Sequence, residues 1–118
     1  MTIQRTQTSD RLSGAVTFGD LVFLSGQVPT DRSLDVAGQT LEVLAKIDSL
    51  LADAGSNRSQ LLSAQIWLKD IEQDFAAMNQ AWIKWLPEGC APARATVEAR
   101  LASSDVLVEI MVIAARTH

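Results

Sequence analysis

Ten successive residues near the end of the chain, 106–115, are apolar except for Glu109. A run of that length, carrying several Val and Ile, suits a strand in the middle of a sheet with both faces covered. The rest of the chain must then supply flanking strands and a covering layer.

Both are legible. Residues 15–18 and 21–24 are β-prone and flank Gly19-Asp20, a compact turn signal, so a hairpin is expected between Gly14 and Gly26. Ile3 to Gln7 alternates weakly and would add an edge strand. After a turn-like stretch at 29–33, Ala37, Leu41, Leu44, Ile47 and Leu51 recur at steps of three and four, which predicts an amphipathic helix over 36–54. Gly55 stands where a left-handed C-terminal cap is wanted. Alternation from 62 to 69 predicts a half-buried strand. Asp70 and Gln73 then offer a capping pair, and Ile71, Phe75, Met78, Trp82 and Trp85 predict a second helix over 71–86. Past the breakers Pro87, Gly89 and Pro92, alternation over 94–101 predicts another strand, joined at Ser103 to the apolar one. The sum is one α+β domain over 1–118, a two-layer sandwich with two helices on one face of a single sheet.

Composition removes several kinds of function. Ten Lys and Arg against fourteen Asp and Glu give a net charge of −4, with the cations scattered, so little is gained from neutralising phosphates and no nucleic-acid partner is expected. No apolar stretch approaches the roughly 20 residues that span a bilayer, and the first ten residues are too polar for a signal peptide. A cytoplasmic protein with no membrane partner is expected. One cysteine, Cys90, and one terminal histidine, His118, cannot make a zinc site, and no acidic spacing resembles a calcium loop, so no metal is expected. Cys90 has no neighbouring cation to stabilise a thiolate and receives no catalytic role. Trp82 and Trp85 could wall a ligand cleft or a subunit contact, but aromatics at helical spacing are more often core; Trp67, on the polar side of its strand, reads as a contact surface.

Glu109 is the residue that needs a reason. A carboxylate inside so apolar a strand loses hydration at a cost of several kcal/mol unless it is paired or neutralised. If the last two strands form a hairpin, Val97 falls opposite Glu109 and Arg94 lies further along the same ladder. Arg94 can hold a ligand carboxylate through a two-pronged hydrogen bond, and Glu109, its pKa open to elevation by burial, can orient or deprotonate a water. A purely structural Arg94–Glu109 ion pair satisfies the same pattern, and spacing alone does not separate the two.

The segment Pro92-Ala93-Arg94-Ala95-Thr96-Val97-Glu98, then Leu101, Val108-Glu109-Ile110 and Ile113-Ala114, resembles the C-terminal signature of the reactive intermediate deaminase family, RidA/YjgF. Ser25-Gly26-Gln27-Val28-Pro29 is similar to that family's N-terminal motif and Phe75-Ala76-Ala77-Met78-Asn79 to its second-helix motif. The resemblance implies a chorismate-mutase-like fold, a homotrimer with sites between subunits, and cofactor-free hydrolysis of 2-imino or 2-enamino acids to 2-keto acids and ammonia. It makes Arg94 the substrate-carboxylate arginine and Glu109 the glutamate that positions water. Gly26, Asn79 and Thr96 match positions lining the pocket.

Two residues depart from the family pattern. Thr96 stands where the family has cysteine, and the tyrosine expected around Leu12 is missing, since the chain contains no Tyr. These departures keep a second reading in view, a non-catalytic trimeric module that binds small 2-keto acids. A ribonuclease reading, attached to some relatives, runs against the acidic balance and the lack of a catalytic His.

Overall fold

The computed structural model describes residues 1–116, so His118 lies outside the described residues. Strands β1 (Ile3–Thr8), β2 (Ser13–Phe18) and β3 (Leu21–Leu24) come first, followed by helix α1 (Val36–Asp53). A short 3-10 turn (Arg58–Gln60) leads into β4 (Leu61–Leu68), then helix α2 (Ile71–Trp85), β5 (Ala93–Glu98) and β6 (Val108–Ala115). All six strands form one mixed sheet in the order β1-β2-β3-β6-β4-β5, antiparallel except for the parallel pair β4 and β5.

The local signals operate as the sequence suggests. Gly19 adopts φ +60° in the two-residue β2–β3 turn, the positive angle that primed hairpin turns need and side chains resist. The Asp35 carboxylate accepts from the Gly38 amide at the start of α1, and Gly55 takes φ +80° just past its end. Asp70 caps α2 by accepting from the Gln73 amide at 3.1 Å.

Both helices pack on one face of the sheet. The core between the layers is built from Val43, Leu44, Ile47 and Leu51 of α1, Met78, Trp82 and Trp85 of α2, and inward residues of the central strands such as Ile66, Val108, Ile110 and Val112. Gln39 is fully buried within this core. Its side-chain amide donates to the Leu34 and Asp105 carbonyls, and its oxygen accepts from the Leu107 amide at 2.8 Å, so burial leaves it satisfied. The buried stripe of α1 is accordingly rotated from the one read in the sequence: Gln39, Thr40 and Val43 face inward and Leu41 faces solvent.

Three strand expectations are corrected. The apolar strand β6 is covered on one face only. Val108, Ile110, Val112 and Ala114 are buried under the helices, whereas Glu109, Met111, Ile113 and Ala115 alternate with them on a half-buried open face. The strand of the 94–101 segment ends at Glu98. Nor do β5 and β6 form a hairpin, because β4 lies between them and pairs with both. The strand–helix–strand order of β4, α2 and β5 is a crossover, which makes adjacent strands parallel.

At the open end of the helix layer, Asp48 of α1 joins α2 to the turn before β4. Its carboxylate accepts from Arg58 Nε at 3.1 Å, Arg58 Nη2 at 2.6 Å and the Trp85 indole at 3.0 Å, while the Arg58 guanidinium stacks 5.1 Å from the Trp85 ring centre. The pair is about one-third solvent-exposed, so screening tempers its worth. Asp48→Ala is expected to lower unfolding stability by about 1–2 kcal/mol, seen as a lower urea midpoint at unchanged slope.

Candidate functional site: two half-sites on opposite faces of the sheet

Strand parity decides where the two key residues point. Arg94 is paired with Ala64 and Glu109 with Trp67, and Ala64 and Trp67 are an odd number of residues apart on β4. Side chains alternate along a strand. Arg94 therefore rises on the helix face, where it meets α2, and Glu109 on the open face. Within one chain they do not meet, so the expected placement on one ladder and the internal ion pair are both corrected.

The first half-site gathers around Arg94. Phe75, Asn79 and Trp82 recur at helical spacing along α2 and look across to edge strand β5. Arg94 Nη1 donates to Asn79 Oδ1 at 2.7 Å, and the guanidinium carbon lies 5.8 Å from the Trp82 ring centre and 6.0 Å from that of Phe75. These distances suit cation–π attraction. Burial lowers the Arg94 pKa from its ordinary value, yet the group stays charged throughout the physiological range. Among the described residues no carboxylate pairs with it, and its Nε and Nη2 make no hydrogen bond. Two residues along the same face, Thr96 Oγ1 is buried with no hydrogen-bond partner among the described residues. The site thus offers a pinned planar cation with donors to spare and a hydroxyl beside it, a receptor for a carboxylate.

The second half-site is Gly26 against Glu109. The segment after β3 crosses the end of β6 through a two-way backbone bridge, Gln27 N to Ile110 O at 2.8 Å and Ile110 N to Gln27 O at 3.1 Å. Helix α1 fixes it from the other side. Lys46 donates to the Val28 carbonyl at 2.7 Å, and Glu42 accepts from the Thr30 and Asp31 amides at 2.9 Å each. Gly26 is thereby pressed onto the Glu109 side chain, so that a β-carbon there would collide with carboxylate atom Oε2. Glu109 accepts no hydrogen bond and forms no ion pair among the described residues, and burial raises its pKa from the ordinary value. A carboxyl so placed is suited to exchanging protons nearer neutrality than a free one.

Four of the five residues singled out in the sequence form these two pairs, Arg94 with Asn79 and Gly26 with Glu109; Thr96 flanks the first. Trp82 was read as core, which its burial in the core cluster bears out, and it also stacks on Arg94. Phe75 was read only as part of the helical repeat, and its place beside Arg94, at 41% exposure, was missed. Their spacing with Asn79 on one helical stripe was the available signal.

Sequence comparison places residues 2–116 in the family described as Endoribonuclease L-PSP. The chain belongs to this family, also called RidA/YjgF/RutC, and has its chorismate-mutase-like fold. It is 48% identical over 115 residues to a RutC family protein of Haemophilus influenzae, covering 97% of this chain and 98% of that one. It is 43% identical to the RutC family protein YoaB of Escherichia coli, over 98% of this chain and 99% of that one. Among solved structures, a YjgF-family protein from Neisseria meningitidis matches with a TM-score of 0.96 at 44% identity, covering 100% of this chain and 98% of that one. A putative translation initiation inhibitor from Salmonella typhimurium matches with a TM-score of 0.87 at 40% identity, covering 97% of each chain.

The raised pKa of Glu109 sets a pH signature. Because the fold favours the protonated carboxyl, its contribution to stability is full below the ordinary 4.5 and is lost as pH rises through the elevated folded value. Glu109→Gln is therefore expected to raise Tm relative to wild type at neutral pH, with the difference vanishing in acid; thermal unfolding from pH 3.5 to 8 reads it.

Proposed function

We propose that the protein is a cofactor-free hydrolase that deaminates reactive 2-imino and 2-enamino acids to 2-keto acids and ammonia. We propose further that it works as a homotrimer in which Arg94, Asn79 and Thr96 of one copy face Gly26 and Glu109 of its neighbour. The observation that carries this reading is the division of the site. Among the described residues each chain bears a cation without an ion-pair partner on one face of its sheet and an unpaired carboxylate on the other, so a second copy is needed to bring the two chemistries together. Support for assembly comes from the open face itself, where Phe18, Leu21, Phe23 and Val97 are each more than a third exposed. Trp67, Met111 and Ile113 lie half-buried beside them. An apolar surface so continuous suits burial against another subunit.

The chemistry asks little of the protein. The substrate carboxylate docks on the free edge of Arg94, which Asn79 and the two aromatic rings hold in place, and the imine carbon is thereby positioned for attack. Glu109 accepts a proton from water as the water oxygen bonds to that carbon. With the imine protonated, the proton then passes to nitrogen, the carbon–nitrogen bond breaks as Glu109 takes the proton of the new hydroxyl, ammonia leaves and the ketone remains. For an enamine, protonated Glu109 first delivers a proton to the β-carbon through water, forming the imine. A carboxyl with a raised pKa serves both directions.

Generating 2-aminoacrylate or an imino acid in situ and following its loss tests the reaction. Wild type is expected to accelerate loss over buffer. Arg94→Ala and Glu109→Gln should each lower kcat/KM by about 10²-fold or more, and Gly26→Ala by a similar factor because it displaces the Glu109 carboxylate. No acceleration with several side chains, alongside keto-acid binding in calorimetry, would favour the non-catalytic carboxylate-binding module instead.

The division of the site is tested by mixing. Light scattering should give about three times the 12.8 kDa chain mass. Subunits of Arg94→Ala and Glu109→Gln, dissociated and reassembled together, should recover about a quarter of wild-type activity, because random neighbours restore that share of sites. Recovery no greater than either parent would overturn the shared site.

A further inference from the structure

Beside the Arg94–Asn79 pair lies a groove that the proposed reaction does not use. It has a volume of about 400 Å³ and runs between the C-terminal half of α2 and the loop leading to β5, walled by Trp82, Ile83, Leu86, Ala91 and Pro92. Its walls are apolar apart from Arg94 and Asn79, which are hydrogen-bonded to each other. No acidic side chain lines it. Ile83 is 68% exposed at its rim and offers apolar surface to a ligand there.

We infer that this groove takes the side chain of the substrate, and that the protein selects 2-imino acids, and the 2-keto acids they yield, whose side chains are large and apolar or aromatic. The inference rests on the proposed role of Arg94 as the carboxylate anchor. Because Arg94 lines the groove, a carboxylate on its guanidinium brings the α-carbon close to the groove's apolar walls. The combination of one cationic end and an apolar body matches an amphiphile with a single terminal carboxylate. A cationic side chain would find no counter-charge there, and a second carboxylate would have to give up its water to Leu86 and Pro92. Removal of each methylene from water in an apolar pocket typically contributes discrimination on the order of tenfold. The exposed Ile83 and the Trp82 indole supply the surfaces for it.

The test uses the assembled wild-type protein and stable 2-keto acids as product analogues: pyruvate, 2-oxobutanoate, 4-methyl-2-oxopentanoate, phenylpyruvate and 2-oxoglutarate, each titrated calorimetrically. Affinity is expected to rise at least tenfold from pyruvate to the branched and aromatic acids, with 2-oxoglutarate no tighter than 2-oxobutanoate. Ala91→Phe, which fills the groove from an exposed loop position, should collapse the ratio of phenylpyruvate to pyruvate affinity towards one, with Tm confirming the fold. Arg94→Ala should weaken every acid. A flat or reversed series in wild type, or a ratio that survives Ala91→Phe, overturns the side-chain subsite while leaving Arg94 as anchor. Absence of binding by every acid, or binding that ignores Arg94→Ala, overturns the anchor and the subsite together.

Discussion

The sheet depends on β4, which pairs with β6 in antiparallel fashion along one edge and with β5 in parallel fashion along the other. Its alternation transmits one rule to both neighbours. Residues paired with Ala64, Ile66 and Leu68 face the helices, and residues paired with Ser63, Gln65 and Trp67 face away. Register slips by one residue invert such assignments wholesale, so the buried set Ala64, Ile66 and Leu68 holds the register firmly. Through this one strand, the core fixes on which side a cation and a carboxylate emerge.

The helix layer then gives each its setting. Helix α2 carries Asn79 to the Arg94 guanidinium and encloses it with two rings, while α1, through Lys46 and Glu42, steadies the segment that presses Gly26 on Glu109. Both helices are thus more than a lid for the core. Each places one half of the candidate site, and each does so with side chains on the margin of its buried stripe.

Much of this was written plainly in the sequence. The hairpin around Gly19 and the ends of α1 and α2 follow from local rules in which a glycine, a cap or a period has one physical meaning, whereas Gly26 and Asn79 were picked out only by the family resemblance. What the sequence hid was pairing between distant segments. Residues 94–98 and 108–115 look like a hairpin because both alternate or run apolar and a polar turn separates them. The competing signal was the β4–α2–β5 order, since a helix between two strands favours parallel neighbours. The second misreading has a related cause. A strand that is apolar on both faces was taken to be covered on both, although in one chain only Val108, Ile110, Val112 and Ala114 receive cover. Apolar character on the other face reports on what a further surface would bury, which a single chain cannot display.

The opposite orientations of Arg94 and Glu109 have a consequence for inheritance and dilution. If, as proposed, the halves of a site come from different copies, every chain would serve two sites, and a chain damaged at either residue would spoil a site that its intact neighbour has half built. A minority of defective subunits then depresses function beyond its numerical share, and dilution below the assembly threshold silences chains that are each correctly folded.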